Sequence, residues 1–142
     1  MKAFLDTSSV LKLYHQENDS TVVMDIISKT VDEIYLSEIA MLEFRSAFWR
    51  KVREKALTMN VAEEAIAFFQ NDYGNFRWIA LNSAVIESAK NLLMKHGNKG
   101  LRTLDSLQLA SALALKEEAD CIFLTSDTLL KSLMIEEKLN TF

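Results

Sequence analysis

A chain of 142 residues with 49% apolar and 25% charged residues has the balance of one folded globular domain, not of a disordered or low-complexity segment. It has no proline and three glycines, so no linker composition is visible, and no apolar run approaches the ~20 residues that a membrane-spanning helix needs. Its single cysteine, Cys121, excludes an intrachain disulfide and a cysteine-based zinc site, while a net charge of −4 weighs slightly against a nucleic-acid partner.

Short apolar runs alternate with segments of helical period along the chain. AFL (3–5) reads as a buried strand that runs straight into Asp6. SSVLKLYH then reads as a short helix, and STVVMDIISK as a second with Asp19 or Ser20 as its N-cap. EIYLS (33–37) is the next strand. The segment 38–56 is a helix whose apolar stripe is Ile39, Ala40, Ala47 and Phe48, with its basic charge, RKVREK (50–55), at the far end. In NVAEEAIAFFQND, Asn60 and Glu63 have the spacing of a capping box. RWIAL (77–81) reads as a strand, Asn82 as the cap of the helix SAVIESAKNLLMKH, and Gly97 as its end. A second basic cluster, KHGNKGLR (95–102), follows. TLDSLQLASALALKEE is a helix apolar on nearly every face, and therefore central. CIFLT (121–125) is the most strand-like run; a short helix follows, and LNTF (139–142) is a candidate last edge strand.

Strands of this length separated by helices predict an α/β fold with a parallel sheet. Ligands in such sheets bind beyond the carboxyl ends of the strands. Asp6 closes the first strand and Asp127 follows the CIFLT run, so both belong to that edge. Two further acids stand in apolar company: Glu43 between Leu42 and Phe44, and Asp105 between Leu104 and Ser106. Ionised carboxylates are costly to bury unless paired or coordinated, and four of them together raise one another's pKa. A divalent cation with a preference for oxygen ligands removes that conflict, activates water and stabilises charge on a phosphodiester. It also offsets part of the negative formal charge. Each acid has a plainer reading beside this one. Asp6 and Asp127 suit helix N-caps, Asp105 a first helical turn, and Glu43 a rim position beside a basic side chain.

Four stretches, FLDTSSVLKLY, LSEIAMLEFRSAFWRK, LRTLDSLQLASAL and CIFLTSDTLL, resemble in order the segments that carry the acids of the PIN-domain ribonucleases, most closely the VapC-type toxins of bacterial toxin–antitoxin pairs. The resemblance spans residues 3 to 130. It implies a PIN-like three-layer fold, a central parallel sheet of about four to five short strands flanked by helices, over a single domain of residues 1–142. It implies that Asp6, Glu43, Asp105 and Asp127 are the catalytic, metal-binding acids. Asp6 and Asp105 would be direct ligands of Mg²⁺ or Mn²⁺, and Glu43 and Asp127 would complete the site or hold a second ion. The implied activity is endonucleolytic cleavage of RNA by metal-activated water. The implied partners are an RNA substrate, a cognate VapB-like antitoxin and a second copy of the chain, with no membrane and a cytoplasmic location.

Thr7, Ser8, Thr125 and Ser126 lie close to these acids and suit turn hydrogen bonding; Thr7 or Ser8 also suits a contact to a metal-bound water or a phosphate oxygen. Arg102, three residues before Asp105, suits a phosphate contact or a plain surface position. His15 and His96 have no zinc-like spacing and read as surface residues. Trp49, Trp78, Phe68 and Phe69 read as core, although the helices from 38 to 73 hold enough aromatic surface for a dimer. An inactive PIN-like module that binds RNA or protein is the alternative. A haloacid-dehalogenase-type phosphatase needs an aspartate where Ser8 stands.

Overall fold

Alternate residues of each strand point to opposite faces of a sheet, and here both faces are covered. The structure, a computed structural model, describes residues 1–16 and 20–142. Its elements are β1 (Lys2–Leu5), α1 (Thr7–Tyr14), α2 (Ser20–Thr30), β2 (Glu33–Ser37), α3 (Ala40–Arg53), α4 (Met59–Asn71), β3 (Arg77–Ile79), α5 (Ser83–His96), α6 (Thr103–Leu113), β4 (Cys121–Leu124) and α7 (Thr128–Glu136). Ala3, Leu5, Ile122 and Leu124 join one core with Val10, Phe44, Phe48 and Phe69 from α1, α3 and α4. Phe4, Cys121 and Phe123 join the other, with Val85, Leu109 and Leu133 from α5, α6 and α7. In the first core Phe44 stacks on Phe69 at 4.1 Å between ring centroids, and Tyr14 meets both rings edge-on. A fully buried phenylalanine of this kind contributes ~1.5–3 kcal/mol by leaving water.

The four strands are all parallel and lie in the order β3-β2-β1-β4. The chain moves outward from β1 through β2 to β3, then returns to place β4 on the other side of β1. The strand order therefore reverses between β1 and β4, and a crevice opens there at the carboxyl edge. The expected fifth strand shrinks to one bridge, Phe123 to Thr141, because Lys138 turns the chain with φ 65 and only a few residues follow. The α5–α6 connection turns at Gly100, whose φ of 108 suits a residue without a Cβ; an added Cβ would lie 3.3 Å from Leu129 Cδ2. Among the described residues no helix is long and apolar enough to cross a membrane.

Several local expectations need correction. Helix α4 starts at Met59 with Thr58 as its cap, its hydroxyl accepting from the Val61 amide, so Asn60 and Glu63 form no capping box. Phe44 joins the apolar stripe of α3 as a fully buried residue. Phe69 is buried but Phe68 is 53% exposed, since neighbouring helical residues point about 100° apart. His96 is not a surface residue. It is fully buried, with Nε2 2.7 Å from Glu137 and Nδ1 3.5 Å from Glu136. Lys95 and Lys99 pair with the same two carboxylates, tying the end of α5 to the end of α7. Helix α2 begins at Ser20; Asp19, its other suggested cap, lies outside the described residues.

Candidate active site

Four helix N-termini point at the carboxyl edge of the sheet, and each carries one of the four acids. Asp6 caps α1, its Oδ1 accepting from the Ser9 amide at 3.0 Å. Asp127 caps α7 through the Leu130 amide at 2.7 Å. Glu43 lies in the first turn of α3 and Asp105 in the first turn of α6. The partial positive charge of each helix start offsets part of each carboxylate's charge, which is how one edge tolerates all four. All four line a single cavity of about 450 Å³. Its other walls include Leu11, Ile39, Leu42, Ala47, Leu104 and Arg50.

Asp6 is the most deeply set, at 4% exposure. Ser8 Oγ donates to its Oδ1 at 2.7 Å and Thr125 Oγ1 to its Oδ2 at 2.6 Å. The same hydroxyls brace the opposite turn: the Asp127 amide donates to Thr125 and the Ser126 amide to Ser8. Burial pushes the Asp6 carboxyl up to about 6, against the pull of these donors. Glu43 is held by Thr7 Oγ1 at 2.8 Å and Gln108 Nε2 at 2.7 Å. Burial raises its pKa, Gln108 and Thr7 pull it down, and the charge of Asp105 adds to the rise. Asp105 is raised first by burial and then by the charge of Asp127, with Arg102 opposing. Glu43, Asp105 and Asp127 are thus electrostatically linked in series. As they stand, no three Asp, Glu, His or Cys side chains among the described residues are grouped closely enough to hold an ion. Separate neutral donors hold Asp6 and Glu43.

Gln108 was not singled out by sequence. It is 2% exposed and joins α6 to both α1 and α3, donating to Thr7 at 2.9 Å as well as to Glu43. Its Oε1 has no hydrogen-bond partner. The available signal was an amide within an otherwise apolar helix, three residues after Asp105. Ser111 pins the same helix to β2 through Ser37 at 2.9 Å. In the sequence Arg50 is one member of the basic cluster RKVREK, and the structure sets it in the cavity wall. Arg102 does not line the cavity and reaches the site only through its charge on Asp105.

A parallel α/β sheet with acids gathered above its topological switch point defines a class of ligand-binding α/β proteins. The family model of the PIN domain matches residues 3–134, and the chain belongs to that family. No curated protein matches it in sequence. In fold it is similar to VapC20 of Mycobacterium tuberculosis, a sarcin–ricin loop cleaving toxin, at 14% identity and TM-score 0.68 over 92% of this chain and 94% of that one. It is similar also to VapBC2 from Rickettsia felis bound to a DNA fragment from its promoter, at 14% identity and TM-score 0.66 over 100% and 98%. FitAcB from Neisseria gonorrhoeae gives 17% identity and TM-score 0.65 over 99% and 96%.

Proposed function

We propose that this chain is a metal-dependent endoribonuclease acting as the toxin of a toxin–antitoxin pair. The observation that carries the reading is the convergence of Asp6, Glu43, Asp105 and Asp127 on one cavity at the switch point of a PIN-domain fold. The cleaving toxin and the VapBC complex among its structural neighbours support it. The reading extends to an antitoxin partner of the VapB kind, a homodimer and a cytoplasmic location.

The donor set fits a hard divalent cation. All four groups offer carboxylate oxygens, the ligands preferred by Mg²⁺ and Mn²⁺, and burial raises the carboxyls of Asp6, Glu43 and Asp105, a cost that a bound cation would offset. Asp6 and Asp105 would hold the ion, with Glu43 and Asp127 completing the site. When bound, the ion supplies activation of water and stabilisation of charge on the phosphodiester. The chain's own groups do the rest. Thr125, Ser8 and the Ser9 amide orient Asp6, and Thr7 and Gln108 orient Glu43. In this reading the attacking oxygen is that of water and not of a side chain.

The test is RNA cleavage by purified Asp6→Asn and Asp105→Asn proteins beside the parent, with Mg²⁺, Mn²⁺ and chelator. Each substitution is expected to lower the rate by at least about a hundredfold with the fold intact, and chelator should stop the parent. Calorimetric titration should show Mn²⁺ binding to the parent and its weakening in both variants. A parent that neither binds Mn²⁺ nor cleaves RNA would leave the inactive binding module as the better account.

A further inference from the structure

The acids explain where a phosphodiester would react, but not what draws a polyanion into a cavity lined by four carboxylates. Among the described residues that line the cavity, Arg50 is the single cation. Its position follows from helical geometry. Glu43, Ser46, Ala47 and Arg50 fall at i, i+3, i+4 and i+7 of α3, one face of the helix, and all four line the cavity. Seven residues correspond to roughly 10 Å of helix rise, and long helical side chains lean back toward the N-terminus. Arg50 thus lines the same cavity as the acids while its backbone stays two turns from Glu43, close enough for a long side chain leaning back toward the N-terminus to reach toward them. No ion pair or hydrogen bond engages its guanidinium among the described residues, unlike Arg45, which is spent on Met41 and Tyr73.

We infer that Arg50 is a positioning residue for the RNA substrate, its guanidinium holding a backbone phosphate that flanks the one cleaved at the acids. The inference rests on the ribonuclease reading. Arginine offers a planar fork of donors that matches phosphate oxygens, and phosphate contacts set the register of a nucleic acid without reading its bases. Leu11, Leu42, Ala47 and Leu104 line the same cavity and would give an uncharged wall for the sugar and base of a neighbouring nucleotide. The competing role is structural. Arg50 lies in the last turn of α3 with Lys51 and Arg53, where cations favour the helix dipole.

The two roles separate in one experiment. Arg50→Gln and Arg53→Gln remove the same charge from the same helix end, but Arg53 does not line the cavity. The assays are binding of a fluorescent single-stranded RNA oligonucleotide in chelator, and cleavage of the same oligonucleotide with Mg²⁺, each over a range of KCl. Arg50→Gln should weaken binding and raise KM about tenfold, with kcat moved much less. It should reduce the slope of log affinity against log salt by about 0.7, the share of one single-strand phosphate contact. Arg50→Lys should restore most of the slope, and Arg53→Gln should track the parent. Equal losses in the two glutamine variants, or parent-like affinity and slope in Arg50→Gln, would overturn the inference. If the parent binds RNA in this Arg50-dependent way but cleaves none, the enzyme reading fails and the contact stands. If it neither binds nor cleaves RNA, both fall.

Discussion

Asp6 carries two demands that pull apart. As a cap it needs only an oxygen acceptor at the start of α1, while at 4% exposure its charge has lost its water. Its carboxyl is raised from 3.8 to about 6, so the folded chain holds a proton that the unfolded chain releases. The sign follows from linkage: this contribution to stability is fully present below pH 3.8 and is lost as pH rises through about 6. Its size is on the order of 3 kcal/mol. Asparagine caps a helix as well as aspartate does and carries no charge. Asp6→Asn is therefore expected to be more stable than the parent at pH 8 in chelator, with the gap closing below about pH 5. Urea unfolding across that range measures it, and an Asn variant less stable at pH 8 would contradict the buried-charge account. The same variant should be inactive, a trade of stability for chemistry common at functional sites.

At the scale of elements, each acid is tied to a helix start, so substitutions must separate capping from chemistry. Asp127 shows this most directly. Its Oδ1 holds the Leu130 amide, a bond that Asn can keep and Ala cannot. Asp127→Ala should cost ~1 kcal/mol of stability relative to Asp127→Asn, while both lose RNA cleavage to a similar extent. Thermal unfolding and cleavage rates on the two proteins give the comparison; activity in the Asn variant equal to the parent would remove Asp127 from the site. The helix starts also explain what could be read from the sequence. The caps at Asp6, Asn82 and Asp127 are local, fixed by a side chain and an amide three residues on, and they stand where expected. The capping-box spacing of Asn60 and Glu63 points two residues too far along, and the observed start of α4 follows Thr58. Gln108 and His96 gave no such signal, because their partners come from other elements. Gln108 meets Thr7 and Glu43, and His96 meets the end of α7. A polar residue's burial depends on whether a distant chain segment supplies its hydrogen bonds.

At the scale of the whole molecule, the sheet order turns four acids scattered from position 6 to position 127 into one cavity, with both hydrophobic layers holding the helix starts in place. The dimer proposed for the chain belongs to this scale. Val61 and Phe68 stand seven residues apart on the outer face of α4, 43% and 53% exposed, and burial of such side chains would favour association. Phe68→Asp is expected to shift a dimer to monomer in sedimentation velocity while each chain stays folded, since Phe69 beneath it remains in the core. A parent that sediments as monomer at all concentrations would count against it.

The amino-acid sequence by itself determined the α/β alternation, the central apolar helix and the four acids at strand ends and helix starts. Those are written in hydrophobic period, in capping side chains and in charge set among apolar neighbours, all of them local. Only the tertiary structure decided that Phe68 faces outward while Phe69 faces in, that His96 is buried and that Gln108 and Arg50 join the cavity. Each of these depends on which surface another element covers, and that is set by the reversal of strand order and the packing of helices on both faces of the sheet.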